Sequence, residues 1–278
     1  MGYLTDYIKY RVYKQNKNFL CCIVGATGSG KSYTSISLGE QLNKNFSDEY
    51  IIFNPKDFMK LVVDEEKTPM GTVIVYDELG VSMSARNWQS ITNKIINYVL
   101  QTFRHRKLIV FFTVPDSQFV DKQTRKLFHA MFEMRSINID KGCAVIKPKF
   151  IQTNPATGKV YNNYLRVINE KGMIPLSRVK IEKPSDEIII KYEKKRSQFT
   201  AKLNRDILDE IDVYQKTNGN IGPKKARCKV CNHTWRLRNG NNPKQCPRCD
   251  TSYWKKGYKD KKSDSISLRN EVLQEVTS

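Results

Sequence analysis

The sequence predicts an α/β chain with a mostly parallel central sheet flanked by helices, antiparallel additional strands beyond it, and a small metal-bound module near the C-terminal end. Three observations predict it. A short apolar run, Phe19 to Val24, leads into a glycine-rich loop, Gly25-Ala26-Thr27-Gly28-Ser29-Gly30-Lys31-Ser32, and then into a helical stretch from Tyr33 to Asn43. A second apolar, β-branched run, Thr72 to Tyr76, ends in the acidic pair Asp77-Glu78. Four of the seven cysteines fall in two C-x-x-C pairs, Cys228/Cys231 and Cys246/Cys249. Strand-length apolar runs separated by helices are what a sheet covered on both faces requires.

In chain order, Leu4, Tyr7, Ile8 and Val12 recur at helical spacing, so residues 1–18 form an amphipathic helix that packs on the core. Phe19 to Val24 is the first strand. Tyr50 to Phe53 is a second apolar run that Asn54-Pro55 closes as a turn, and Asp57 to Val63 is a short helix. Thr72 to Tyr76 is the next strand. Asn87 to Phe103 carries Trp88, Ile91, Ile95, Val99 and Phe103 on one stripe, as a core-facing helix does, and ends in Arg104-His105-Arg106-Lys107. Leu108 to Phe112 is another buried strand, reaching Thr113, and Phe119 to Phe128 a short helix. Met131 to Ile139, Ala144 to Gln152 and Lys159 to Ile168 read as antiparallel additions, with turns at Asp140–Gly142 and Asn154–Gly158. Pro175 and Pro184 bracket a non-helical connector. A long helix then starts at Ser185, its N-cap, with Asp186 and Glu187 in the first turn. Its stripe of Ile188, Tyr192, Phe199, Leu203, Ile207, Ile211 and Tyr214, broken by Lys195 and Arg196, packs on the body or a neighbour. The expected divisions are a helix at 1–18, a core domain at 19–172, a helical connector at 173–221, a ribbon at 222–256 and a polar tail at 257–278.

The loop satisfies G-x-x-x-x-G-K-[ST] at every required position, in the strand–loop–helix context that gives the pattern meaning. Its glycines allow successive N–H groups to converge on a polyphosphate, and the N-terminus of the following helix adds its positive end. Gly25, Ala26, Thr27, Gly28, Ser29, Gly30, Lys31, Ser32 and Tyr33 are therefore the expected nucleotide contacts. Lys31 is to reach the β- and γ-phosphates of ATP and the Ser32 hydroxyl to bind Mg²⁺. A strand that delivers carboxylates at its C-terminal end sets them beside such a loop. Asp77 is then the second Mg²⁺ group, through water, and Glu78 the group that polarises the attacking water. Thr113, at the end of the neighbouring strand, is placed to sense the γ-phosphate. Arg104 or Arg106 is a candidate arginine finger in a neighbouring subunit; the other reading is that these cations favour a helix C-terminus or touch nucleic acid.

The cysteines stand as C-x₂-C-x₁₄-C-x₂-C, a zinc spacing. Four thiolates on one Zn²⁺ fold a segment too short for a core of its own; a redox pair or an iron–sulfur site are the alternatives. His233, two residues past a cysteine, is read as structural. Around the cysteines Lys224, Lys225, Arg227, Lys229, Arg236, Arg238, Lys244, Arg248, Lys255 and Lys256 interleave with Trp235, Tyr253 and Trp254, the mixture that a nucleic-acid surface uses for phosphates and bases. Protein docking is the other use of such a ribbon.

Composition agrees. The 278 residues allow a core domain of about 150–200 residues plus a smaller module. With 48 Lys+Arg against 28 Asp+Glu the net charge is +20, which points to a polyanionic partner, DNA first, although a solubility surface also carries such charge. There is no run of 18 apolar residues and no secretory leader pattern, and paired cysteines of metal type fit a reducing compartment, so a cytoplasmic location without a membrane span is expected.

Taken together, Gly25–Ser32, Val73–Glu78, Arg104–Lys107 and Ile109–Thr113 resemble the additional-strand P-loop ATPases, and among them the FtsK/HerA group with its zonular-occludens-toxin-like branch. The resemblance covers about residues 19–135. It implies a P-loop NTPase fold and an ATP-hydrolysing motor that moves DNA, as in viral genome packaging. It implies too a homo-oligomer, hexameric or pentameric, with the ATP site completed between subunits, and a capsid or replication protein as partner. Val114 and Pro115 stand where such families often carry a Gln after the sensor strand. Cys228 to Trp254 is similar to zinc ribbons common in archaeal proteins, which implies an archaeal or archaeal-virus source. An ATP-dependent switch or loader that moves nothing is the alternative function; a small-molecule phosphotransferase is disfavoured, since ribbon and charge would then be idle.

Overall fold

The computed structural model describes residues 2–78, 103–120, 122–169, 172–218, 225–236 and 243–255. The chain divides into two compact units, Met1–Leu208 and Asp209–Ser278. Among the described residues no helix is long and apolar enough to cross a membrane.

The first unit opens with α1 (Tyr3–Lys9), prolonged by a wider turn over Tyr10–Lys14, and buries Leu4, Ile8 and Val12 as their spacing requires. Then follow β1 (Phe19–Val24), α2 (Lys31–Leu42), β2 (Ile51–Ile52), α3 (Pro55–Val63), β3 (Val73–Tyr76), β4 (Ile109–Val114), α4 (Lys122–Leu127), β5 (Ala130–Asn138), β6 (Cys143–Thr153), β7 (Val160–Tyr164), β8 (Arg166–Asn169), β9 (Gly172–Pro175), β10 (Val179–Glu182) and the long α5 (Asp186–Asn218). The main sheet runs β10-β6-β5-β1-β4-β3-β2, with β7 also on β6. From β5 to β2 all pairings are parallel, and β6, β7 and β10 add antiparallel. β4 thus lies between the loop-bearing β1 and the acidic β3 as an additional strand. β8 and β9 pair with each other.

The parallel strands alternate between two cores, as the period of two dictates. Phe19, Cys21, Ile23, Phe111, Val73 and Val75 pack with α1, α2 and α5 through Ile8, Ile36, Ile188 and Tyr192. Leu20, Cys22, Val110, Phe112, Ile74 and Tyr76 pack on α3 through Phe58 and Val62, and on Phe128. Burial pushes the Cys22 thiol up to about 12 and raises Cys21 as well, so these two cysteines are packing groups rather than reactive ones.

Five readings change. Asn54-Pro55 does not close a strand but opens α3: Asn54 Oδ1 accepts from Asp57 N at 2.9 Å, and Pro55 takes the first helical position. Met131 to Ile139 does not add antiparallel, because β5 runs parallel to β1 and only its other edge meets an antiparallel strand. Lys159 to Ile168 is not one antiparallel strand on the core: β7 pairs with β6, but β8 leaves the main sheet and pairs with β9, while the non-helical connector after Pro175 supplies β10 through Val179–Glu182. Phe119 to Phe128 is not one helix but a short turn at Ser117–Phe119 and the six-residue α4. The helix expected at Asn87 to Phe103 lies outside the described residues, except for Phe103, which begins a turn ending at Arg106.

The second unit holds the end of α5, a two-stranded ribbon of β11 (Lys225–Arg227) and β12 (Thr234–Arg236), and the four cysteines.

Candidate nucleotide site and metal centre

The loop between β1 and α2 lies at the C-terminal edge of the parallel strands. Gly30 closes it at φ 85° directly before α2, and Thr34 N–H donates back to Gly30 O at 2.9 Å. At Gly25 there is no room for a side chain, since a Cβ would lie 2.6 Å from Ser29 Oγ and 2.8 Å from Met134 Cβ. The glycines therefore serve close packing beneath the loop as well as its curvature. Lys31 Nζ donates to Gly25 O at 2.7 Å and Ala26 O at 2.9 Å, so the ammonium sits over the loop. Burial draws its pKa below the lysine range; Asp77 and Glu78 oppose that, and Arg196 adds to it.

Asp77 and Glu78 follow β3 directly. The Asp77 carboxylate is fully buried and accepts three hydrogen bonds: Oδ1 accepts from Ser32 Oγ at 2.9 Å and Thr113 Oγ1 at 2.6 Å, and Oδ2 from Tyr192 Oη at 2.6 Å. Glu78 turns into the left-handed region at φ 54°, held there by its N–H donating to Thr113 Oγ1 at 2.8 Å. Thr113 sits on β4, between the two strands that carry loop and acids, which is why one hydroxyl can fix both acidic residues. With those bonds made, Thr113 is a positioning residue for Asp77 and Glu78. The cleft, about 370 Å³, is lined by loop residues together with Glu78, Thr113, Ile137, Tyr192 and Arg196.

The glycine cradle fits a polyphosphate, and Ser32 and Asp77 supply the hard oxygen donors that Mg²⁺ takes. Lys31, Glu78 and Thr113 border the same space. Thr27, Gly28, Gly30, Lys31, Ser32 and Tyr33 line this cleft, and Gly25 packs against Ser29 and Met134.

Arg106 is not placed as a finger. Its guanidinium is buried and donates to Val62 O at 2.7 Å, Thr68 O at 3.0 Å and Thr68 Oγ1 at 2.8 Å, with Glu65 3.4 Å away. It closes the turn after α3. Arg106→Ala is expected to leave these buried acceptors unpaired and to destabilise the first unit by about 2–4 kcal/mol, read by chemical denaturation, with nucleotide affinity unchanged in the folded fraction. Arg104 belongs to the same short turn, and its side chain lies outside the described residues.

The residues that periodicity missed come from α5. Ser185, immediately before it, gives both its N–H (2.9 Å) and its hydroxyl to the Glu40 carboxylate, docking the helix start on α2. Lys195 donates to Asp48 O and Ile51 O at 2.8 and 2.7 Å. Tyr192 reaches Asp77, Tyr33 Oη donates to Glu193 Oε1 at 3.1 Å, and Arg196 Nη2 meets Glu78 Oε1 at 2.6 Å. Burial, then the Asp77 charge, raise the Tyr192 pKa, so the phenol stays a donor. The signal in the sequence was the break itself: polar residues interrupting an apolar stripe on a docked helix need partners inside.

In the second unit, the Sγ atoms of Cys228, Cys231, Cys246 and Cys249 all lie within 4.8 Å of one another. Four sulfurs at about 2.3 Å from one Zn²⁺ stand about 3.8 Å apart. The pairs Cys228–Cys249 and Cys231–Cys246 are separated by 3.8 and 3.7 Å. Val230 N–H points at Cys228 Sγ (3.4 Å) and Arg248 N–H at Cys246 Sγ (3.5 Å), as hydrogen bonds that stabilise thiolates do. The residues fit zinc. Trp254 is not a base-stacking platform: it is buried against Cys228 and Cys246, edge-on to half-buried Trp235, and its Nε1 donates to Pro243 O at 3.0 Å. His233 stacks on Trp235, a structural role. Tyr253 and the side chains of Lys225, Arg227, Lys229, Lys244, Arg248 and Lys255 remain exposed.

Loop, acidic pair and strand order together define a P-loop NTPase fold. No protein-family model matches the sequence, and no curated protein does. Among solved structures, the chain is similar to the N-terminal domain of zonular occludens toxin from Neisseria meningitidis, with 16% identity, 56% of this chain and 96% of that one covered, and a TM-score of 0.34. It is similar also to the FIGL-1 AAA domain in complex with ADP (16% identity, 47% and 51% covered, TM-score 0.32). A third is the flagellar accessory protein FlaH from Methanocaldococcus jannaschii (14% identity, 63% and 96% covered, TM-score 0.31). At these scores the likeness is loose, and the assignment stands on the chain's own geometry.

Proposed function

We propose that this protein binds Mg–ATP in the cleft above β1 and β3 and hydrolyses it, and that hydrolysis drives work on DNA. The observation that carries the hydrolytic reading is the hydrogen-bonded run Ser32–Asp77–Thr113–Glu78, which sets a metal-binding pair and a carboxylate base side by side at the edge of the loop. When bound, Mg²⁺ neutralises phosphate charge. The chain does the rest: loop N–H groups and Lys31 hold the phosphates, Asp77 orients Ser32, and Glu78 takes the proton of the attacking water. The +20 charge and the cations of the ribbon support DNA as the polymer acted upon. A ring of five or six copies, a subunit contact through Arg104, and a capsid or replication partner extend this reading. A switch or loader that changes partners with ATP is the second reading.

The test is the ATPase rate of the full chain with and without duplex and single-stranded DNA, beside mass measurement in ATP. DNA-stimulated turnover in an assembled ring supports the motor; slow turnover indifferent to DNA supports the switch. Lys31→Ala is expected to weaken ATP binding at least about a hundredfold by equilibrium dialysis, since it removes a charge-assisted contact to two phosphates. Wild-type affinity in that variant would remove Lys31 from the site.

A further inference from the structure

Arg196 meets Glu78 at the mouth of the cleft. The pair is 2.6 Å apart, and its side chains are 41% and 29% exposed, so it opens onto the phosphate space instead of being sealed in the core. Arg196 lines that space together with Thr27, Gly28 and Lys31. The two cations Lys31 and Arg196 face Asp77 and Glu78 there, with Glu193 beside them. A guanidinium has five N–H donors, and Glu78 engages Nη2, which leaves a planar fork for a second anion. While Arg196 is on Glu78, the carboxylate oxygen Oε1 is engaged by the guanidinium and is not offered to a water in the cleft. A terminal phosphate, with more charge and three oxygens, is the stronger partner for the same guanidinium.

Resting on the nucleotide reading above, we propose that Arg196 is a second phosphate-binding cation, supplied by the same chain. It exchanges Glu78 for the terminal phosphate of a bound nucleoside triphosphate, so that Glu78 is released as a base only when that phosphate is present. No covalent bond changes in the exchange; one ion pair opens and another closes. A diphosphate has no γ-phosphate to offer, and Arg196 then stays on Glu78. The site thereby distinguishes triphosphate from diphosphate through a residue that lies 118 positions from its partner in the chain.

The test is equilibrium binding of a non-hydrolysable ATP analogue and of ADP, each with Mg²⁺, to the full chain. Arg196→Ala is expected to weaken the analogue about 10- to 100-fold while ADP changes less than about twofold, and Arg196→Lys to recover part of the difference. Glu78→Gln, which removes the competing partner, is expected to tighten the analogue about three- to tenfold and leave ADP unchanged. Equal losses for both ligands in Arg196→Ala, or no loss for either, would make Arg196 a strut and overturn the proposal. Should that variant not fold, Glu78→Gln carries the test, and absence of selective tightening overturns it. If the wild-type chain binds neither nucleotide, it is the nucleotide reading that fails.

Discussion

Glu78→Gln is expected to hold ATP and to turn it over about 10²- to 10⁴-fold more slowly, the range in which a positioned base acts. The substitution is close to isosteric, so the backbone at φ 54° and the hydrogen bond from Glu78 N–H to Thr113 need not change. What disappears is the carboxylate that accepts a proton and the charge that holds Arg196. Single-turnover measurement separates this from a binding defect: ATP remains bound while the chemical step stalls. Normal turnover would remove Glu78 from the catalytic role and leave Asp77 with its metal as the only acidic contribution. Asp77→Asn would behave differently, because Asp77 is buried and accepts three hydrogen bonds at once. Its loss weakens the anchorage of Ser32, Thr113 and Tyr192 together, and stability falls with activity.

Removal of zinc is expected to unfold the ribbon. Among the described residues the core around the four cysteines consists of little beyond Trp254, Trp235, Ala226 and Val230, far too little apolar surface to fold a chain by itself. Structural zinc supplies about 10–16 kcal/mol in such modules, which is folding free energy. A strong chelator, or Cys228→Ser, should therefore shift the fluorescence of Trp254 to longer wavelength as it leaves its buried contact, with stoichiometric release of one Zn²⁺ per chain read by a colorimetric indicator. The unit Met1–Leu208 has a core of its own on both faces of the sheet, so its thermal transition should persist. An unchanged tryptophan spectrum after complete chelation would show that the ribbon folds without metal.

The parts of the site that are contiguous in the chain are legible in the sequence alone. The loop from Gly25 to Ser32 and the two C-x-x-C pairs work through local backbone geometry, and fixed spacing is therefore a faithful record of them. Asp77 and Glu78 were legible for a related reason: a β-branched run ending in acids has one place to deliver them in a parallel sheet. Even the neighbouring role of Thr113 follows once β4 is set beside β3, although its simultaneous grip on Asp77 and Glu78 needed the register Tyr76–Phe112 to be seen. Arg106 was misread because its partners, Val62 and Thr68, lie about forty residues back and leave no periodic trace. Trp254 was misread since an aromatic among cations looks the same in sequence whether it covers thiolates or faces solvent.

What the sequence by itself determined, then, is the phosphate loop, the acidic pair, the alternating buried strands and the ligand set for a metal: features written into short segments by torsional freedom, side-chain chemistry and period. What only the tertiary structure decided is that β5 runs parallel to β1, that Val179–Glu182 joins the sheet, and that α5 returns across the cleft to place Tyr192 on Asp77 and Arg196 on Glu78. The β1–β5 pairing and the two α5 contacts join residues more than a hundred positions apart, and a hydrogen-bonding side chain on a helix carries no mark of which distant partner it will meet. Packing makes that choice, when burial of the neighbouring Ile188 and Leu203 draws the helix onto the body and the polar groups between them must find partners there.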